Sequence, residues 1–330
     1  MLEIDGSYGE GGGQILRTAV AMSIIHQKPV TIDHIRANRP KPGMSAQHFK
    51  AISAASEICG AKTEGLKIGS KKIIFEPGEI KCGNFKFDIG TAGSITLMLQ
   101  ALLPVALHAD GNTCYTIRGG TDVKWSPPYD YFNDVFLEHL KDMGYDVQSR
   151  LKKRGHYPVG GGEVEVTVKP GKASHSVSTG DIEGIQGKVF VSSLPEHIAK
   201  RMKKAALKEL IDYPVSISTE VGDSPSPGTG ITLWTTGERV LGCGVLGEKG
   251  LPAEEVGKHC ALTLRENIKA GVDLDPWCAD QMIPYLTMAN GSGELTVKEA
   301  TEHLRTNIWV VNRFGHGIKL KEGNKIIIRY

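Results

Sequence analysis

Hydrophobic and polar positions along this chain follow an order that recurs. Leu2 and Ile4 alternate with Glu3 and Asp5, the two-residue period of a strand, and a nearly continuous apolar run from Gly13 to His26 is long enough for a helix. The same reading predicts a strand at 30–36, a helix at 45–59 and short strands at 61–64 and 72–75. About 83 residues on, where Asp88 echoes Asp5, the order starts again with FKFDIGTAGSITLMLQ. A strand at 113–118, a helix at 127–143 and strands at 146–151 and 163–168 complete this second unit. Repetition of a whole strand–helix unit is a fold-level signal that precedes any single motif.

A third unit is split. A strand at 174–178 opens it, but its first helix waits until 277–289, followed by a strand at 294–297, a helix at 301–313 and terminal strands at 318–320 and 325–329. The intervening stretch has its own texture. It holds a strand at 188–191, a basic helix at 196–210, strands at 216–220, 231–236 and 239–245, and a helix at 254–269, with the turn SPSPG at 224–228 between two of the strands. The expected fold class is therefore α/β (α+β). Three βαβαββ repeats form a large domain at 1–180 plus 276–330, with a smaller inserted α/β domain at 181–275.

Composition narrows the function classes. The 330 residues are 40% apolar and 23% charged, ordinary for a folded chain of one large or two smaller domains. No apolar run reaches the roughly 18 residues of a membrane span. Glu3 and Asp5 argue against a secretory leader. Six scattered cysteines without a CxxC pair fit reduced thiols and a cytoplasmic protein rather than disulfides or zinc. A net charge of only +2 excludes a bulk nucleic-acid coat, so any nucleic acid is held locally, at an end or in a cleft.

The richest chemistry lies in DGSYGEGGGQILR, residues 5–17. Glycines bring backbone N–H groups close to an anion, and the helix that follows adds a favourable dipole. Glu10 is placed to give an oxygen to a divalent metal, and Arg17 to pair with phosphate. The segment is neither a Walker loop nor a dinucleotide fingerprint, and a plain flexible turn is its competing reading. In TEHLRTNIWVVNRF, His303 opens a helix and shares a face with Asn307; alone, such a histidine is usually just solvated. As a free base near neutral pH it is a competent nucleophile. IRANRPKPG carries Arg36, Arg39 and Lys41 on a loop stiffened by prolines, which suits a phosphate. WCADQ, residues 277–281, offers Trp277 as a stacking face and Asp280 with Gln281 as polar groups, although capping and core roles are commoner for such residues. The basic run SRLKKRGHY at 149–157 reads as a solvated hairpin tip that could steer RNA, and Lys200, Arg201, Lys203 and Lys204 as ordinary helix surface. PVGGGEVEV runs into a strand and lacks the helix that makes an anion site.

Taken in order, GEGGGQILR, IRANRPKPG, IGTAGSITLMLQ, GGTDVKWSPP, WCADQ and HLRTNIWVV resemble the RNA 3′-terminal phosphate cyclases, from Leu2 to Phe314. That resemblance implies a reaction in which ATP adenylylates a histidine, AMP passes to an RNA 3′-phosphate, and the vicinal 2′-hydroxyl closes a 2′,3′-cyclic phosphate. By resemblance, His303 is the nucleophile and Glu10 the ligand of a divalent metal, Mg2+ or Mn2+. Arg17, Arg36, Arg39 and Lys41 serve the phosphates or the RNA end. Gln100, Pro127 and the segment Trp277, Cys278, Ala279, Asp280, Gln281 form the ATP pocket, with adenine between Pro127 and Trp277. Trp277 stands where many members carry tyrosine, which keeps a stacking face and loses a hydroxyl. The rivals are a cyclase-like ribosome assembly factor, which would lack the histidine, and an enolpyruvyl transferase of shared architecture. RNA with a 3′-phosphate end is the expected partner, membranes are not, and an edge strand leaves a homodimer open.

Overall fold

A computed structural model describes residues 1–173 and 177–330. The first repeat runs β1 (Leu2–Asp5), α1 (Gly13–His26), β2 (Val30–Asp33), α2 (Ala46–Cys59), β3 (Lys62–Glu64) and β4 (Ile73–Glu76). The second runs β5 (Gly83–Asp88), α3 (Ile95–Ala106), β6 (Thr113–Gly119), α4 (Tyr129–Tyr131), a π-helical turn (Phe132–Phe136), α5 (Leu137–Asp142), β7 (Asp146–Lys153) and β8 (Gly162–Lys169). Their sheets share one topology: β1-β2-β4-β3 and β5-β6-β8-β7, with the first two strands of each parallel and the remaining pairs antiparallel.

An α/β segment comes next: β9 (Ile182–Ser192), α6 (His197–Glu209), β10 (Val215–Gly222), β11 (Gly228–Gly237), β12 (Gly242–Leu246) and α7 (Ala253–Ala270). Its sheet is ordered β10-β9-β11-β12. The chain then returns through α8 (Pro276–Leu286), β13 (Glu294–Val297), α9 (Glu302–Arg313), β14 (Lys319–Lys321) and β15 (Ile326–Arg329). The third sheet, β13-β15-β14, repeats the antiparallel part of the other two. The strand expected at 174–178 falls mostly on Ser174, His175 and Ser176, outside the described residues, and Val177 and Ser178 are not in a strand.

Two apolar cores follow from these patterns. In the first, α1 packs against α2, α3 and α9, and α3 also meets α8. Ile15, Leu16, Ala19, Val20 and Met22 all lie buried, which is why α1 reads as apolar all round rather than amphipathic. In the second, Val189, Ile231 and Leu233 of the sheet meet Ala199 and Met202 of α6 and Val256, Cys260 and Leu264 of α7. Charged and polar contacts join the two. Arg154, just past β7, donates to Asp122 (3.1 Å), Asp130 (2.8 Å) and, on β10, Glu220 (2.7 Å), with its guanidinium 4.0 Å over the Phe190 ring. Asp275 accepts from the Tyr131 hydroxyl at 2.6 Å and from the Gly242 amide at 2.9 Å.

Several expectations need correcting. The strand at 30–36 stops at Asp33 because His34 and Arg36 take positive φ (51° and 53°), outside strand geometry. The helix at 127–143 starts at Tyr129 after two prolines and includes the π-helical turn. The strand at 239–245 shifts to Gly242–Leu246, since the chain turns at Gly237 (φ of +108°) and Glu238 and re-enters the sheet only at Gly242. Within the basic run at 149–157, Arg154 and His156 are each only 4% exposed, so that run is not a solvated tip throughout. The six cysteines are free thiols. Among the described residues no helix is long and apolar enough to cross a membrane.

Candidate active site

A cleft of about 780 Å³ opens where the first helices of all three repeats, α1, α3 and α8, converge with the first turn of α9. Its floor includes Gly12 and Gly13 at the start of α1. That helix has no side-chain cap, so its first amides remain free to meet an anion. By contrast α3, α8 and α9 are capped by Ser94, Asp275 and Thr301. Two glycines make the approach feasible. Gly11 turns the loop with φ of +57°, and a Cβ on Gly13 would lie 1.7 Å from Nε2 of His48.

The repeats deliver equivalent positions to the centre. Arg17 of α1 donates through Nε to Oε1 of Gln100 of α3 (3.2 Å), and Gln100 donates to Oε1 of Gln281 of α8 (3.2 Å). Gln281 is fixed in turn by its bond to the Trp277 carbonyl at 2.9 Å. Burial alone lowers the Arg17 pKa, to about 10, which still leaves it charged at neutral pH with no carboxylate among the described residues to offset it. A buried cation without an acid is costly unless an anion arrives. Arg36, partly buried, likewise bonds only carbonyls among the described residues, those of Lys41 and Gly43, both at 2.9 Å, and burial, then Arg39, lowers its pKa.

Opposite these cations, Glu10, Arg39 and His303 meet. Arg39 Nη2 lies 2.6 Å from Oε2 of Glu10, and His303 Nε2 lies 3.2 Å from the same oxygen. Burial lowers the His303 pKa; Glu10 opposes this, while Arg17 and Arg39 add to it. The imidazole is thus mainly uncharged at neutral pH. Its backbone is fixed by Gln14, whose side chain donates to the His303 carbonyl at 2.6 Å. One turn on, Asn307 donates to the Asp280 carbonyl (2.6 Å) and accepts from Thr18 (2.7 Å). Asp280 accepts from the Thr301 hydroxyl. Burial, with Asp275 and Glu10 nearby, pushes its pKa up to about 8. The carboxyl is therefore largely neutral and does not repel an anion in the cleft.

Of the residues singled out from the sequence, Glu10, Arg17, Arg36, Arg39, Gln100, Pro127, Trp277, Asp280, Gln281 and His303 line this one cleft. Three do not. Cys278 and Ala279 face the core with no exposure, as the helix period demands for positions beside Trp277 and Asp280. Lys41 is exposed away from the lining, and its carbonyl serves Arg36 instead. The cleft also recruits Gln47, His48, Lys124 and Trp125, which motif reading missed. For His48 the repeat itself was the usable signal: it opens α2, the second helix of its repeat, as His303 opens α9. Burial, aided by Arg17, Arg36 and Arg39, drives the His48 pKa down to about 3.

Metal ligation would be sparse. Among the described residues no three His, Cys, Asp or Glu side chains converge on one point. Glu10 offers a half-exposed carboxylate, enough for a hard cation only if phosphate oxygens and water complete its shell.

A neutral histidine beside a carboxylate, facing acid-free arginines and an uncapped helix, defines a site for handling phosphorylated substrates. The chain belongs to the RNA 3′-terminal phosphate cyclase family, whose model matches residues 8–320. A relative of that name from Methanopyrus kandleri is 47% identical over 328 residues, covering 95% of this chain and 93% of its own. Another from Archaeoglobus fulgidus is 46% identical over 331 residues and covers both chains completely. Among solved structures, the enolpyruvyl transferase NikO from Streptomyces tendae aligns with 99% of this chain and 47% of its own. It does so at 10% identity and a TM-score of 0.43, too weak a likeness to bear on chemistry.

Proposed function

We propose that this protein converts an RNA 3′-phosphate end into a 2′,3′-cyclic phosphate at the expense of ATP, through a covalent adenylate on His303. The observation that carries this reading is an uncharged, partly exposed His303 in the same cleft as Arg17, a buried cation with no acid partner. Family membership and the names of the relatives support the RNA end as substrate.

In the first step the lone pair of His303 Nε2 attacks the α-phosphorus of ATP. A P–N bond forms, the bond to the bridging oxygen breaks, and pyrophosphate leaves. In the structure Nε2 faces the Glu10 carboxylate, which only accepts, so attack requires that this contact break and that the ring proton sit on Nδ1. Arg17 and the free amides of α1 bind the departing phosphates, and neutral Asp280 spares them a repulsive charge. In the second step an oxygen of the RNA 3′-phosphate attacks the same phosphorus, breaking the P–N bond and restoring the imidazole. The 3′-phosphate is now half of an anhydride with AMP as its leaving group. Attack by the adjacent 2′-hydroxyl then closes the ring, expels AMP and releases one proton; holding the two groups together makes this step effectively intramolecular. Glu10 would hold a divalent cation, whose contribution when bound is to neutralise phosphate charge. The adenine would stack between Pro127 and Trp277, while Arg36 and Arg39 hold the RNA phosphate.

The test is conversion of a 3′-phosphate oligoribonucleotide, end-labelled at its 5′ side, to a phosphatase-resistant end. Conversion must require ATP and be absent in His303→Ala, and a strand whose terminal 2′-hydroxyl is replaced by hydrogen must stop at the AMP-capped 3′-phosphate, told from a cyclic end by its mass. Conversion without ATP, or by His303→Ala, would overturn the proposal.

A further inference from the structure

Trp125 is 94% exposed, more than any other large apolar side chain among the described residues. It lies at the rim of the cleft between Lys124 and Ser126. Its φ of +61° is a left-handed conformation that bulky residues rarely adopt and that costs energy. Neither exposure nor strain is explained by packing. Nor is the segment a loose loop. Asp122, itself 3% exposed, accepts from the Tyr129 amide at 3.2 Å and from Arg154 at 3.1 Å. Ser126 ties back to the Val123 carbonyl at 2.8 Å, and Lys124 reaches Glu248 across the two cores at 2.6 Å. The fold therefore anchors this segment on both sides and presents a bare indole to solvent.

We propose that Trp125 is a stacking platform for a nucleobase of the RNA strand near its 3′ end. This deepens the functional reading above and rests on it. Single strands are held by cations along the backbone and by aromatic faces under the bases. Arg36 and Arg39 supply the cations in the same cleft, and Trp125 the face. Trp277, only 40% exposed and edge-on to Tyr131, is the more enclosed indole, which leaves Trp125, at the mouth, for the polymer. Because any base has a flat face, the contact favours a strand over a bare phosphate without selecting sequence.

The experiment compares wild type, Trp125→Ala and Trp125→Phe on two 3′-phosphate oligoribonucleotides, one normal and one abasic at its last two positions. Readouts are the RNA KM in cyclisation and the labelling of protein by α-labelled ATP without RNA. Trp125→Ala should raise the RNA KM about 10-fold on the normal strand, within the range for one stacked base. Trp125→Phe should recover most of this. On the abasic strand wild type and Trp125→Ala should coincide. An equal loss on both strands would overturn the platform, and so would a loss of ATP-only labelling, which would put Trp125 on the ATP. If wild type neither labels nor cyclises, the cyclase reading falls by itself. Anisotropy of a fluorescein-labelled strand then still decides the platform: it survives if Trp125→Ala weakens binding of the normal strand alone, and fails otherwise.

Discussion

Two clusters of charge, one around Arg154 and one inside the cleft, use the same residue types to opposite ends. Around Arg154, burial works against the charge, but Asp122, Glu220 and Asp130 together hold the guanidinium firmly protonated. Lys188 adds a second cation, 3.1 Å from Asp130. In the cleft, Arg17 is as deeply buried as Arg154 but has a glutamine for company, and Arg36 has only carbonyls. A satisfied network ties the loop after β7 to β10 and α4. An unsatisfied one waits for an anion. The difference lies in which charges lack a partner, not in how many charges there are.

That contrast can be broken by experiment. Arg154→Met leaves Asp122 buried without a cation and Asp130 with Lys188 alone, and should cost about 3–5 kcal/mol of stability, read as a lower urea midpoint. Arg17→Met removes a cation that no acid offsets, so stability should hold or rise while ATP-dependent labelling falls about 100-fold or more. If Arg17→Met unfolds the protein and Arg154→Met does not, the contrast is wrong.

The pH profile sharpens it further. Because burial lowers the His303 pKa, its free base persists below the ordinary value of about 6.5, and the acid limb of labelling should fall below that pH. Asp280 moves the other way. Raised from 3.8 to about 8, it keeps its proton in the fold across a range where the unfolded chain has lost it. Stability should therefore decline as pH rises from about 4 to 8, and the ATP KM should climb above pH 8 as the carboxylate appears. Asp280→Asn should flatten both trends. Trp277 carries the smallest expectation: Trp277→Ala should raise the ATP KM several-fold, and Trp277→Tyr should leave it within about 3-fold, as fits a stacked ring.

Much of the fold was legible because burial writes periodicity into sequence. Helix α1 has the predicted bounds, since its flanking residues, Gly12 and Gln27, interrupt an apolar run. The site was legible where motifs clustered, while the chain of contacts from Arg17 through Gln100 to Gln281 emerges only in the fold. Other features left no local mark. Nothing in SRLKKRGHY distinguishes Arg154, sunk among acids from three other segments, from exposed Lys153 beside it. Likewise Cys278 and Ala279 shared a motif with Trp277 and Asp280 but face the core, which only the helix phase reveals. Trp125 carries no mark of its own within GGTDVKWSPP, since its positive φ and its exposure are set by the fold.

The central claim is that His303 is the covalent carrier. Its most direct test is incubation with α-labelled ATP and a divalent cation without RNA, followed by denaturation and peptide mapping. The account predicts acid-labile AMP on the peptide bearing His303 that passes to a 3′-phosphate RNA when one is added, and no label on His303→Ala. A folded wild-type protein that takes no label, or carries it elsewhere, would contradict the account.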